Sequence, residues 1–425
     1  MKTKRHRDKK PQIHLIHGYR VVLIPVKIDT LHVECAINNG FISENRHTTG
    51  INHLLEHVLS ESWKRCKNNC YRFMNDNGLK MNASTEMTIM KYYTSGLPVD
   101  VDIMINYIID IMEIPIFSHK KIEREKKAVI NELSAISNDP DTELIDVFNK
   151  HFYAVEGLQY ADDVDRQIKR LSSINLQKLK KVFFDHYNRF NMLFVVCGKF
   201  NEKQVLELFR HKLVKYAGHD KVEPYCFSKK HDILFLKNES PKIMVGFPSV
   251  VAPSSELFVL IPSVVDIINT VLFEVLRTKH DLIYGIESEC QNTICGTVVT
   301  ISADVLQINI KPVLKLIMLV LHKFKKEFIP ERFLTSDKKL QEYEFTTKSN
   351  NPADISDIVI EQMMQQIHIK NPIIYTRDQI QRKIQSLDVV TFKKIMNLIF
   401  DFNDCLIVYQ CKSKVNISLS NVFLN

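Results

Sequence analysis

Gly50-Ile51-Asn52-His53-Leu54-Leu55-Glu56-His57-Val58-Leu59-Ser60-Glu61-Ser62 is the stretch around which this chain is organised. Wound as a helix, it has two faces. Ile51, Leu54, Leu55, Val58 and Leu59 fall on one arc, the stripe that seats a helix on a core. His53, Glu56 and His57 fall on the other. His53 and His57 are one helical turn apart, so their rings project side by side, with Glu56 next to His57. Two imidazoles at this spacing beside a carboxylate suit a catalytic zinc, which needs nitrogen ligands and a base near an activated water. The same residues also fit a solvated helix face. A third ligand elsewhere in the chain would separate the two.

Residues 119–136 supply one. Their periodicity predicts a helix with the apolar stripe Ile122, Val129, Leu133 and Ile136. Glu125 and Glu132 sit inside that stripe. A carboxylate rarely enters a buried face without a cation or hydrogen-bond donors. The simplest joint solution is one zinc per chain, held by His53, His57 and Glu132. Glu125 then orients a ligand or the water; the competing assignment is a salt bridge to a nearby Lys or Arg. Asn138-Asp139-Pro140 is expected to end the helix.

The flanking sequence is mixed. Arg20–Val26 is a β-branched run, and Leu31, Val33, Cys35 and Ile37 alternate with His32, Glu34 and Ala36, the period of a half-buried strand. Asn38-Asn39-Gly40 turns the chain into the histidine stretch. Residues 79–96 predict two more strands, and Val99–Met112 an amphipathic helix.

At 425 residues the chain is long for one core, so two or three domains are expected. Hydrophobic content of 45% and charged content of 25% are ordinary for a globular protein. The net charge is +8, but only residues 1–10 form a basic cluster, and no aromatic–basic interleaving follows it. A nucleic-acid partner is therefore not expected. No run of about 18 uncharged apolar residues stands out, so no membrane span is expected either. The first residues lack the apolar core of a secretory signal and the composition of a transit peptide. Of nine cysteines, Cys197 and Cys405 lie in apolar runs and read as buried reduced thiols. They point to an intracellular, cytoplasmic setting, with an organelle or a virus-infected cell also compatible. Cys66 and Cys70 have no second Cys or His pair at zinc-finger spacing and are expected to be free thiols.

The sequence also repeats itself. Residues 173–199 match residues 386–412 without a gap: Ser173 pairs with Ser386, Lys180 with Lys393, Leu193 with Leu406, Lys199 with Lys412. Each copy reads as a helix leading into a strand. Two tandem copies of one α+β domain follow, at 1–214 and 232–425, joined by a linker at 215–231 that holds Gly218, Pro224 and several charges. The offset carries His53 onto Asp266, where no second His-x-x-Glu-His lies.

With these residues in place, the chain resembles the pitrilysin family of inverzincins, which includes insulin-degrading enzyme and the mitochondrial processing peptidases. The likeness rests on Gly50, His53-Leu54-Leu55-Glu56-His57, Asn82-Ala83-Ser84-Thr85, Glu125 and Glu132 seven apart, and Asp139-Pro140. Glu132 lies 75 residues after His57, where the family's distal ligand falls. In the second half, Arg277 and Leu282-Ile283-Tyr284 resemble the Arg/Tyr pair with which the family completes its site. The chain departs from the pattern at Ile267-Ile268-Asn269-Thr270 and Asp281, where glycines are usual. It departs again near Gln159-Tyr160, where the family has His and Pro.

The resemblance implies two tandem α+β domains, each a mainly antiparallel sheet with helices over one face. It implies a zinc-dependent endopeptidase in which Glu56 activates the attacking water and Arg277 and Tyr284 hold the developing oxyanion. The substrate would be an extended peptide or unfolded protein segment, added as a strand near Asn82 and Ala83. At this length the chain resembles members that pair, as a homodimer or with a related subunit. The alternative from the same family is a non-catalytic assembly subunit.

Overall fold

The β-branched run after Gly18 and the alternating run behind it join one sheet, with another strand between them. In the computed structural model, described over residues 10–422 apart from 68, 137–139, 155–163, 215–226, 229–230, 250, 252–254, 294–295 and 349–350, the strands form two sheets. The first contains β1 (Gln12–Ile16), β2 (Tyr19–Pro25), β3 (Leu31–Ile37), β4 (Lys80–Thr85), β5 (Met90–Gly96) and β6 (Met192–Gly198), in the order β1-β2-β6-β3-β5-β4. The second contains β7 (Asp232–Lys237), β8 (Lys242–Ser249), β9 (Ile283–Thr293), β10 (Gly296–Val305) and β11 (Leu406–Cys411), in the order β7-β11-β8-β10-β9. All pairs are antiparallel except β2–β6 and β7–β11.

Omitting β1, the two orders superpose strand for strand, which is the duplication made visible. The repeat becomes helix Leu176–His186 into β6 and helix Val389–Ile399 into β11. Even the caps correspond: Asn175 accepts the N–H of Lys178, and Asp388 that of Thr391. Residues 215–226 and 229–230 of the proposed linker and the Asn138-Asp139 stop, like Gln159-Tyr160, lie outside the described residues.

Each sheet has its helices on one face, as expected, but the opposite face is not bare. On β3, Leu31, Val33, Cys35 and Ile37 enter the core shared with the histidine helix. His32 and Glu34, on the other face, are buried as well, at 3% and 2% exposure. The cover is helix Pro352–Met364, which packs on β3 and β6 and whose Ser356 hydroxyl donates to Glu34 Oε2 at 3.2 Å. In the second sheet, helix Pro140–Phe152 plays this part. A Cβ on Gly246 would come within 2.2 Å of the Phe148 ring, so only glycine lets that helix approach β8.

The compact units therefore cross the boundary read from sequence. One unit takes 1–137, 156–223 and 346–378; the other takes 138–155, 224–345 and 379–425. The strands divide at the expected place, while one helix from each half belongs to the other half's sheet. One further expectation is corrected. Cys66 and Cys70 form a disulfide, because the turn Lys64–Cys66 and the helix Cys70–Asp76 bring their Cα atoms to 4.7 Å. Residues Phe258–Lys279 are one continuous helical stretch long and apolar enough to cross a membrane, but over half of its most apolar window is buried in the second unit, as befits a core helix.

Candidate metal centre

The histidine helix, Ile51–Ser60, is set by its start. Gly50 has φ 84°, a left-handed conformation that costs glycine little. The buried Glu44 carboxylate then accepts the N–H of Gly50 at 2.7 Å and of Asn52 at 3.0 Å, satisfying donors that the first turn leaves open. Burial pushes this carboxyl up to about 8, against the pull of the two N–H groups. Ile51, Leu54, Leu55, Val58 and Leu59 are at most 1% exposed, which fixes the rotation of the helix and turns His53, Glu56 and His57 the other way.

The glutamate helix, His119–Ile136, has the bounds read from sequence and delivers Glu132. Glu132 Oε2 lies 3.3 Å from His53 Nε2 and 3.5 Å from His57 Nε2. All three donor atoms fall within 4.8 Å of one another. Donors placed tetrahedrally at ~2.0–2.1 Å around zinc stand ~3.4 Å apart. The donor set, two nitrogens and one carboxylate oxygen, and its spacing both fit that ion.

The other charges are arranged around this trio. Glu125 Oε2 lies 3.6 Å from His57 Nδ1, the usual partner of a ligating imidazole's second nitrogen. Burial pulls the His57 ring down, but Glu125, Glu132 and Glu56 outweigh it and the net shift is upward. Burial and its neighbour His57 hold His53 below the ordinary histidine value. For Glu125, burial is outweighed by His57 and Arg124, and its carboxyl is lowered. Glu125 thus faces His57 and is also salt-bridged to Arg124 at 2.6 Å. Glu56 is raised by burial, partly offset by the Thr85 hydroxyl, which donates to Oε2 at 2.6 Å. Thr85 ends β4, the edge strand of the first sheet. Asn82, exposed, and Ala83, half-buried, lie on the same edge.

The second unit holds the other pair. Arg277 lies in a π-helical turn, Glu274–Lys279, and Tyr284, 68% exposed, near the start of β9. The pair brackets a helix end. Arg277 is engaged: its Nη1 donates to Asp281 Oδ1 at 2.5 Å and to the Ile283 carbonyl at 3.1 Å. Asp281, standing where glycine is usual, has φ 51°. The counterpart of the glutamate helix is Glu331–Lys348, of equal length, and it too carries two carboxylates seven apart, Asp337 and Glu344. Asp266 lies on Ile261–Phe273, the counterpart of the histidine helix. The duplicated site has kept carboxylates and has no histidine at the position of His53.

Sequence reasoning brought out His53, His57, Glu132 and Glu56 but not Glu44 or Arg124; Thr85 was named only within Asn82-Ala83-Ser84-Thr85, and Asp281 only as a departure from the family's glycine.

Residues 20–161 match the family model for insulinase, peptidase family M16, and residues 173–364 match the model for the peptidase M16 inactive domain. The chain belongs to the peptidase M16 family. Among M16 relatives, it is 24% identical over 228 residues to "Uncharacterized zinc protease YmfH" of Bacillus subtilis (strain 168), covering 50% of this chain and 52% of that one. It is 23% identical over 217 residues to mitochondrial-processing peptidase subunit beta of Bos taurus, covering 50% of this chain and 44% of that one. The matches thus span about half the length of these M16 relatives. The M16 fold extends over nearly the whole chain: a protease from Helicobacter pylori superposes with a TM-score of 0.81 at 19% identity, covering 94% of this chain and 99% of that one.

Proposed function

We propose that the chain is a zinc-dependent endopeptidase acting on extended peptides or unfolded protein segments. The observation that carries this reading is the 3.3–3.5 Å spacing of His53, His57 and Glu132 donors with Glu56 beside them. His53, His57 and Glu132 would hold the ion. When bound, zinc polarises the scissile carbonyl and makes water acidic enough to lose a proton near neutral pH.

The chain's own groups do the rest. Thr85 holds Glu56 Oε2, leaving Oε1 to take a proton from the attacking water and pass it to the departing amine. Burial raises the Glu56 carboxyl, which brings its basicity closer to that task. Glu125 keeps the His57 ring in one tautomer. A substrate strand adds to the free edge of β4 at Asn82 and Ala83, where main-chain bonds give affinity with little sequence demand. Arg277 and Tyr284 hydrogen-bond the developing oxyanion. The active species is a dimer, of this chain or with a related subunit. The name of one M16 relative, a subunit beta, is that of an assembly member.

Elemental analysis tests the ligand set. Wild-type protein is expected to carry about one zinc, and His53→Ala and Glu132→Ala to lose it. Glu56→Gln is expected to keep zinc and to cleave an unstructured peptide about 10²–10⁴-fold more slowly. Zinc retained in both ligand variants would overturn the assignment. A zinc-loaded wild type that cleaves no peptide would favour the assembly-subunit reading.

A further inference from the structure

Glu61 closes the C-terminal end of the histidine helix. Its carboxylate is well enclosed, at 16% exposure, and fully engaged. Oε2 accepts the N–H of Cys70 at 3.0 Å, and Oε1 that of Tyr71 at 3.3 Å. These donors belong to the segment stapled by the Cys66–Cys70 disulfide. Arg124 Nη2 donates to the same Oε2 at 3.5 Å. Arg124 also grips the other carboxylate: its Nε donates to Glu125 Oε1 at 2.7 Å. Lys121, one turn before Glu125 on the glutamate helix, donates its ammonium to the Glu61 carbonyl.

The chemistry of Glu125 makes this arrangement consequential. A carboxylate can rotate about its bond to the side chain and present either oxygen. Arg124 occupies Oε1, which leaves Oε2 for His57 Nδ1. A guanidinium whose Nε and Nη2 both face Glu125 Oε1, with Nη2 also reaching Glu61 Oε2, has its plane fixed, because its donors form a rigid fork. The rotation of Glu125, and with it the orientation of the His57 ring, is then set from a point outside the metal centre.

We propose that Arg124, anchored by Glu61, is a positioning residue for the metal ligand His57. The line of action runs from the stapled segment through Glu61, Arg124 and Glu125 to the imidazole. Neither Arg124 nor Glu61 belongs to the trio His53, His57 and Glu132. The proposal rests on the zinc reading of the site.

The test measures zinc affinity of the full chain by competition with a chromophoric chelator. It adds the visible absorption spectrum of the cobalt-substituted protein and the melting temperature of the metal-free form. Arg124→Gln is expected to weaken zinc binding about tenfold, within the range typical for partners of metal ligands, and to alter the cobalt spectrum. Glu61→Gln should do the same to a smaller degree. The double variant should bind zinc no more weakly than Arg124→Gln alone, because the two act in series. Arg124→Lys, which keeps the charge but lacks the fork, should fall between wild type and Arg124→Gln. Melting of the metal-free protein should be little changed. Zinc affinity within twofold of wild type in both single variants would overturn the proposal, as would strictly additive losses in the double variant. A wild type that takes up no zinc would overturn the reading of the site and the proposal together.

Discussion

At the scale of single residues, Asp281 matters most for the second half. A non-glycine residue at φ 51° is held in a conformation that costs an ordinary L residue roughly 1–2 kcal/mol, and aspartate tolerates it better than most. Its carboxylate also occupies the Arg277 guanidinium. Asp281→Gly should relieve the backbone and release the arginine. If Arg277 serves catalysis, kcat for peptide cleavage should rise several-fold, with zinc content unchanged. A turnover number indifferent to the change would leave Arg277 a structural group. His53, Glu56, His57 and Glu132 were legible in the sequence because helical spacing and a carboxylate in register with an apolar stripe are local signals, although Glu132 is 47% exposed and not buried as that stripe implied. Thr85 and Arg124 were not, because their roles depend on which strands and helices meet, and no local pattern encodes that.

At the scale of elements, the repeat of helix and strand at 173–199 and 386–412 was readable because the same core must be buried twice. Strand β3 was half misread. Its alternation is real, but both faces are covered, and the polar one is satisfied by a helix over 300 residues away. The glutamate helix and its counterpart differ in an informative way. Burial, reinforced by the charge of Asp266, pushes the Asp337 carboxyl up to about 7 from an ordinary 3.8. The native state then keeps a proton that the unfolded chain has released. The associated stability is complete below about pH 4 and is lost as pH rises through 7. The wild type should lose about 2–3 kcal/mol from this group between pH 5 and 8. Asp337→Asn should flatten that decline, as followed by urea unfolding at both pH values. Parallel declines in the two proteins would rule the assignment out.

At the scale of the whole molecule, the proposed dimer predicts complementation. Glu56→Gln protein and Arg277→Ala, Tyr284→Phe protein should each be inactive, and subunit exchange should partly restore peptide cleavage. One mixed site then combines a working metal centre with a working Arg/Tyr pair. No recovery despite demonstrated exchange would count against action between chains. The exchanged helices make a second prediction. Fragments 1–214 and 232–425, made separately, each leave a sheet face uncovered and should bind a hydrophobic dye strongly; mixing them should abolish much of that binding. Fragments that are each compact and dye-free would contradict the exchange.

The same exchange gives the protein a schedule. The first sheet has all its strands once β6 is made, yet its covering helix, Pro352–Met364, comes much later in the chain. At about 5–20 residues per second, the interval lasts on the order of ten seconds or more on the ribosome. For that time a face lined by Val22, Ile24, Leu193 and Val195 has no partner, so newborn chains should depend on chaperones even though the finished protein hides every trace of the need.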